Sequence, residues 1–429
     1  MSFKKLLPIF FVMLSFTAKA NYMLVQNVTK VGNNPTNKTM QIQFDLSWQN
    51  SWRDSINWDA AWIFIKFKDA NGLWQHARLN LAGYLNGAGT TNTIKVASDS
   101  VGAFVYRDVL GSGNFNATSM QLQWNYGASG LTDASALEVR VFATEMVYVP
   151  EGDFNVAKIL GTSLARNIGF TAPGNNFTVI NKRLTPTLIY DSASTLYLRI
   201  KGDVGIDTNN DGTIDNISYP IGYKAFYCYK YELSEQQYSD FLNTLTSTQK
   251  TNIGIAGTGI TFVNNEYFSS TPNKACGNST PNRVISVADW SGLRPMSILE
   301  FNKVSYGPLQ PVLYTNMGYP AWGYNTYPTG LSASTILKDV GYLGTTTSTR
   351  ASSGSSYYGV MDLTANANEP VVKMNYFDFS NINGDGQLNS IGNSEMPIWN
   401  NSSAIIFMDV STGYVSTTKY GFRYVRSAE

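Results

Sequence analysis

The chain has 429 residues, with 31 Lys+Arg against 30 Asp+Glu and a net charge of +1. That length holds two or three domains with full-sized cores, and the charge balance leaves no basic field to attract nucleic acid. Only 14% of residues are charged, and the wealth of Asn, Thr, Ser, Gly and Tyr points to a β-rich, loop-rich extracytoplasmic protein rather than a helical cytosolic enzyme.

Residues 1–20 read as a signal peptide. Lys4 and Lys5 form its basic start, Leu6 to Phe16 its apolar core, and Ala18-Lys19-Ala20 a small-x-small cleavage site. The apolar core is too short to span a bilayer. The mature chain is expected to begin at Asn21, with no cysteine at the cut to carry a lipid anchor and no later stretch long enough for a membrane helix. The expected location is the periplasm, the cell surface or the medium.

Residues 21–143 read as an all-β sandwich. Met40, Ile42, Phe44, Leu46 and Trp48 alternate with Gln41, Gln43, Asp45 and Ser47, so one face turns inward and the other outward. Ala61, Ile63, Ile65 and Phe67 repeat the pattern, as do Met120, Leu122 and Trp124, then Leu137, Val139, Val141 and Ala143. Gly/Asn/Ser clusters separate these runs, as turns do in a sandwich. Trp48, Trp52, Trp58 and Trp62 either build the core or present an aromatic binding face; Trp48 lies on the apolar side of its strand. The single histidine, His76, sits in NGLWQHARL, a hairpin-like strand, where a surface or half-buried structural role is expected.

Three loops carry oxygen ligands at spacings suited to a hard cation. In DTNNDGTID, Asp207, Asn209 and Asp211 occupy positions 1, 3 and 5 of a calcium loop, with Gly212 at 6, the Thr213 carbonyl at 7 and Asp215 at 9. Position 12 is Ser218 rather than a bidentate acid, so this is either a weak extracellular calcium loop or a solvated Asx-turn hairpin. NINGDGQLN, Asn381 to Asn389, repeats the pattern with fewer carboxylates. In YYGVMDLTANANEPVV, Asp362 and Glu369 flank a tight run of small residues that can turn carbonyls and carboxylates toward one point.

Cys228 and Cys276 are the only cysteines. In an oxidising compartment they can pair, stabilising the fold by about 4 kcal/mol in the chain-entropy model; otherwise they are two buried thiols. In FYCYKYELSEQQYSDFLNTLT, Tyr227, Tyr229 and Tyr231 share one side of a strand. Ser234 with Gln237 then forms a capping box before the amphipathic face Tyr238, Phe241, Leu242 and Leu245. Ser297 with Glu300 forms a second box before Ile298, Phe301 and Val304.

From Met146 onward five stretches resemble, in order, the formylglycine-generating (sulfatase-modifying) family. They are MVYVPEGDF, the Phe226–Thr246 strand and helix, LRPMSILEFNKVSYGP, Pro320-Ala321-Trp322-Gly323 and the closing YGFRYVR; Tyr357–Val372 resembles the family's signature in its proper place among them. The resemblance implies an irregular α/β, C-type-lectin-like domain over 144–429, with an insertion at about 155–222. It carries calcium onto Asp362, the carbonyls of Ala365 and Ala367, and Glu369. Asn368 and Pro370 stand where the family has tryptophans, and Ala365 replaces a glycine. The family's catalytic cysteine pair has no counterpart between Trp399 and Gly421, and one histidine cannot supply an iron-binding cluster. No redox metal is expected. The resemblance therefore implies a non-catalytic member, similar to gliding-motality and type IX secretion proteins, engaging a protein or glycan at the cell envelope. The alternative is an oxygen-dependent modifier of a cysteine, or a related oxidase, with a metal held by acids alone.

Overall fold

The structure, a computed structural model, describes residues 23–156, 177–179, 218–309, 336–344, 349, 353–364, 366–373, 379–396, 399, 402–408 and 419–429. The expected signal peptide, the loop with Asp207, Asn209, Asp211, Thr213 and Asp215, and Ala365 lie outside the described residues.

Nine strands come first: β1 (Leu24–Asn34), β2 (Thr39–Arg53), β3 (Asp59–Lys68), β4 (Trp74–His76), β5 (Ala88–Gly89), β6 (Asn92–Val96), β7 (Ala103–Arg107), β8 (Gly111–Asn125) and β9 (Val139–Val149). After β10 (Phe154–Val156) and β11 (Phe177–Val179) come β12 (Phe226–Tyr229), α1 (Glu235–Leu242), α2 (Ser247–Ile253), the hairpin β13 (Ile260–Val263) and β14 (Glu266–Ser269), and α3 (Pro281–Trp290). The chain continues through β15 (Arg294–Ser297), α4 (Ile298–Tyr306), β16 (Glu369–Val372), β17 (Ile405–Met408) and β18 (Tyr424–Ser427). The result is a β-rich protein of several sheets with few, short helices.

A small sheet, ordered β1-β2-β8-β5, packs against a large one ordered β17-β16-β15-β18-β12-β9-β3-β7-β6, with β4 beside β3. On β2, Met40 to Trp48 alternate into the core as their pattern predicts, while Gln41, Gln43, Asp45 and Ser47 stay half-exposed. The partner strand β8 has a bulge at Ser119 (φ 56), whose N–H donates to Asp45 Oδ1 at 2.7 Å. This extra residue lets Ala117 and Met120 both face inward.

Strand β3 is buried almost throughout its length. Ala61, Ile63, Ile65 and Phe67 enter the sandwich core. Ala60, Trp62 and Phe64 enter a second core, built with Trp290, Phe241 and the tyrosines of β12. Strands buried on both faces read as near-continuous apolar runs, and WDAAWIFIKF is one. The sequence expected only the odd face to be buried. The boundary expected at 143/144 falls inside β9, which pairs with β3 over Val139–Val147 and with β12 over Met146–Val149. One strand therefore serves both regions, and the sheet runs through without a linker.

Both predicted capping boxes close, Ser234 with Gln237 and Ser297 with Glu300; a third forms at Thr246 and Gln249. Trp48 is core, Trp62 belongs to the second core, and Trp52 and Trp58 are half-buried. Trp58 stacks on Tyr148 at 4.1 Å with Arg53 over its ring. Cys228 and Cys276 are free, buried thiols rather than a disulfide. Cys228 is fixed by the pairing of β12 on both edges, and Cys276 by its N–H to the Leu233 carbonyl.

Buried charge joins the two regions. Lys230 Nζ lies 3.3 Å from Asp59 Oδ2 and also bonds the Glu145 carboxylate. Asp59 further accepts from Trp48 Nε1 (3.1 Å), Ser51 Oγ (3.0 Å) and the Trp52 N–H (3.0 Å). Burial pushes the Glu145 carboxyl up to about 8 against the pull of Lys230. Burial opposes the Lys230 charge, yet Glu145, Tyr231 and Asp59 hold its ammonium above the usual lysine range. Arg426 adds a second link, with two 2.6 Å bonds to Asp99 and its guanidinium over Trp62.

Removing one partner of such a cluster strands the others. Lys230→Met is expected to lower unfolding free energy by about 3–5 kcal/mol, read by urea denaturation. Adding Glu145→Gln should recover part of it. A single-variant loss below about 1 kcal/mol, the scale of an exposed pair, contradicts the assignment.

Candidate functional site

The stretch from Tyr357 to Val372 is buried almost throughout its described residues. Asp362 takes φ 64 and Asn366 φ 79, conformations that Asp and Asn tolerate better than most residues. Asp362 Oδ2 accepts the Gly341 N–H at 2.5 Å. Glu369, opening β16, pairs with Arg423 at 3.1 Å. The same guanidinium donates to the carbonyls of Tyr229 (3.0 Å) and Met361 (2.9 Å). Glu232, not singled out from the sequence, accepts Asn366 Nδ2 and the Ala367 N–H, both at 2.7 Å.

Three carboxyls thus surround one guanidinium. Burial, then Asp362, pushes Glu232 well above the usual carboxylate range, which favours its neutral acid. Burial raises Asp362 to about 6, against the Gly341 N–H and Arg423. The two carboxylates expected to hold calcium are already engaged: Glu369 by the positive charge of Arg423, and Asp362 Oδ2 by a backbone N–H. Among the described residues no cluster of three or more His, Cys, Asp or Glu is placed to hold a metal.

The second expected acidic loop is occupied in a similar way. Asp289, in the last turn of α3, accepts the Asp385 N–H on Oδ1 (3.0 Å) and Ser394 Oγ on Oδ2 (2.5 Å). Lys66 Nζ, from β3, bonds the Gly386 carbonyl. Asp385 accepts the Gln387 N–H, an Asx turn, at 2.8 Å. The loop is a strap, fastened to α3 by a carboxylate and to β3 by an ammonium.

Beneath this strap, at the seam of the two regions, lies a cavity of about 380 Å³. Its walls come from β3–β4, the start of α2, the end of α3 and residues 386–390. Trp74 and Trp290 line it, with Gln75, Gln249, Gln387 and Ser390 among the polar groups. The Trp290 indole N–H donates to Thr244 Oγ1 at 2.8 Å, which fixes that ring. Among the described residues no Asp or Glu lines the cavity, and its ionisable lining side chains are Lys66 and His76.

His76 is fully buried, contrary to the surface or half-buried setting expected from its sequence. Its ring stacks on Phe64, and Nε2 lies 2.6 Å from the Val101 carbonyl. A carbonyl only accepts, so Nε2 carries the proton and Nδ1 does not. Burial, with the charges of Lys66, Arg78 and Arg426, pushes the imidazole well below its ordinary value despite the Val101 bond. Burial likewise lowers Lys66 to about 7, opposed by Asp289 and Asp385. Gly386 takes φ 87, and a Cβ there would overlap the His76 ring. Glu145, Lys230 and Arg423 each left a signal in the sequence, a charge inside or beside a run rich in apolar and aromatic residues.

No family model matches the chain, and no curated protein matches it.

The burial of His76 and its contact with Gly386 can each be measured. As the only histidine, His76 gives one imidazole C2–H resonance, expected to show no midpoint between pH 6 and 7; a midpoint near 6.5 contradicts its burial. The unfolded chain takes up that proton near 6.5 while the folded chain does not, so this group makes stability fall as pH drops below 6.5, by up to about 1.4 kcal/mol per unit. Separately, Gly386→Ala should destabilise by about 1–3 kcal/mol through its backbone strain and the clash. His76→Ala added to it should relieve the steric part of that loss in thermal unfolding, and no relief would contradict the contact.

Proposed function

We propose that the chain is an exported, non-catalytic binding or structural protein that uses a formylglycine-generating-enzyme-like, C-type-lectin-like domain to engage a protein or glycan at the cell envelope. Gliding motility or type IX secretion is the process its motif order favours. The observation that carries the binding reading is the indole- and amide-lined cavity at the seam. It lies where two packed regions meet, a usual place for ligand pockets.

Several features support a structural use of the remaining polar residues. Arg423, Glu369, Asp362 and Glu232 are engaged with one another or with backbone groups. Burial pushes Cys228 up to about 12 and raises Cys276 well above the ordinary thiol range, so neither is a ready thiolate. The second reading, an oxygen-dependent modifier of cysteine, needs a redox centre from residues other than these thiols and the buried imidazole.

The two readings separate by metal content and turnover. The purified chain is expected to hold copper and iron far below one equivalent by elemental analysis. It should consume no oxygen with a cysteine-bearing peptide after incubation with either metal. It should sediment saturably with isolated envelope. Stoichiometric redox metal with oxygen uptake contradicts the proposal, as does failure to associate with envelope.

A further inference from the structure

We propose that the seam cavity is a calcium-independent site for a neutral saccharide, taken between the Trp74 and Trp290 indoles and the amide and hydroxyl groups of the 386–390 strap; this rests on the reading of the chain as a binding protein. The chemistry of the lining selects the ligand class by elimination. A cationic ligand meets no carboxylate among the described lining residues, none of which is Asp or Glu. Among the described lining residues an anionic ligand meets one amine, Lys66, whose positive charge burial disfavours and which is already bonded to the Gly386 carbonyl; Lys68 and Arg140 lie over the Trp74 ring but are not part of the lining. A wholly apolar ligand would bury the amides and hydroxyls without partners, which costs about 1–3 kcal/mol for each group left unpaired.

A saccharide offers what these walls need: one face of C–H groups for an indole and a rim of hydroxyls that both donate and accept. Amide side chains likewise donate from nitrogen and accept on oxygen. Gln387 and Ser390 are exposed at the rim, on a backbone held by Asp289, Lys66 and the Asx turn at Asp385. Gln75 approaches from β4, so the polar groups come from both regions of the chain. Preorganised groups lose less entropy on binding than groups on a free loop. The volume, about 380 Å³, lies toward the small end of the roughly 300–1,000 Å³ found for ligand pockets, which suits a short saccharide rather than a long chain lying in a groove.

The test uses the purified full chain with neutral mono- and disaccharides, their uronic acid counterparts and adenosine, read by titration calorimetry and saturation-transfer NMR. Saturable binding of at least one neutral saccharide is expected, unchanged by a calcium chelator. Trp74→Ala should weaken it by about tenfold or more, and Gln387→Ala, at an exposed side chain, by about three- to tenfold. Gln387→Ala also guards against a folding defect in the tryptophan variant, whose ring lies under Arg140. Binding that survives both substitutions overturns the site, as does loss of binding in chelator. Preference for uronic acids or adenosine, or no saccharide binding by the folded chain, overturns the ligand class. In that last case, continued sedimentation with envelope leaves the wider binding reading standing, so the two failures are distinguishable.

Discussion

A single strand buried on both faces sets the architecture. Asp59–Lys68 sends its odd-numbered apolar residues into the sandwich core and its even-numbered ones into a second core beside α3. Side-chain alternation makes this possible, since each face is an independent row. A strand committed in this way cannot shift register without moving both cores. The regions on either side are therefore layers sharing one sheet, with β9 completing the join.

Burial on both sides leaves no solvent for charges that arrive at the sheet, and the chain answers with internal cations. Lys230 serves Asp59 and Glu145, Arg423 serves Glu369, Lys66 meets the Gly386 carbonyl, and Arg426 reaches Asp99. Such pairs add little net stability over apolar packing, but breaking one is costly, so they act chiefly to fix which surfaces meet. The same inventory bears on the loops whose acids resemble cation ligands. Where they are described, their carboxylates are directed at guanidinium or backbone N–H groups. Oxygen-ligand spacing in a sequence reports a turn able to converge; it does not report whether a metal or a side chain meets the acids.

Much of the fold was legible in the sequence. The alternation at Met40–Trp48 and Met120–Trp124 marked two strands of the small sheet, and the capping boxes at Ser234 and Ser297 placed two helix starts. Local signals of this kind depend on neighbours within four residues, and the structure keeps them. What was not legible required partners distant in sequence. Nothing near His76 indicates that residue 386 will cover it, and nothing near Asp59 names Lys230. The second face of β3 was readable in principle, because Ala60, Trp62 and Phe64 are apolar too, yet a period-two reading of one face discards the other. Lys66 shows the same problem, since a lysine in an apolar strand reads as an outward residue until a second layer covers it.

The cavity lies at the junction of these layers, under a strap held by the cation on β3 and the acid on α3, so the packing that joins the cores also shapes the binding surface. The account depends on the two cores behaving as one unit. Scanning calorimetry of the intact chain tests this most directly. One transition, with equal calorimetric and van't Hoff enthalpies, is the predicted result; two separated transitions, with the sandwich melting apart from the rest, would contradict it.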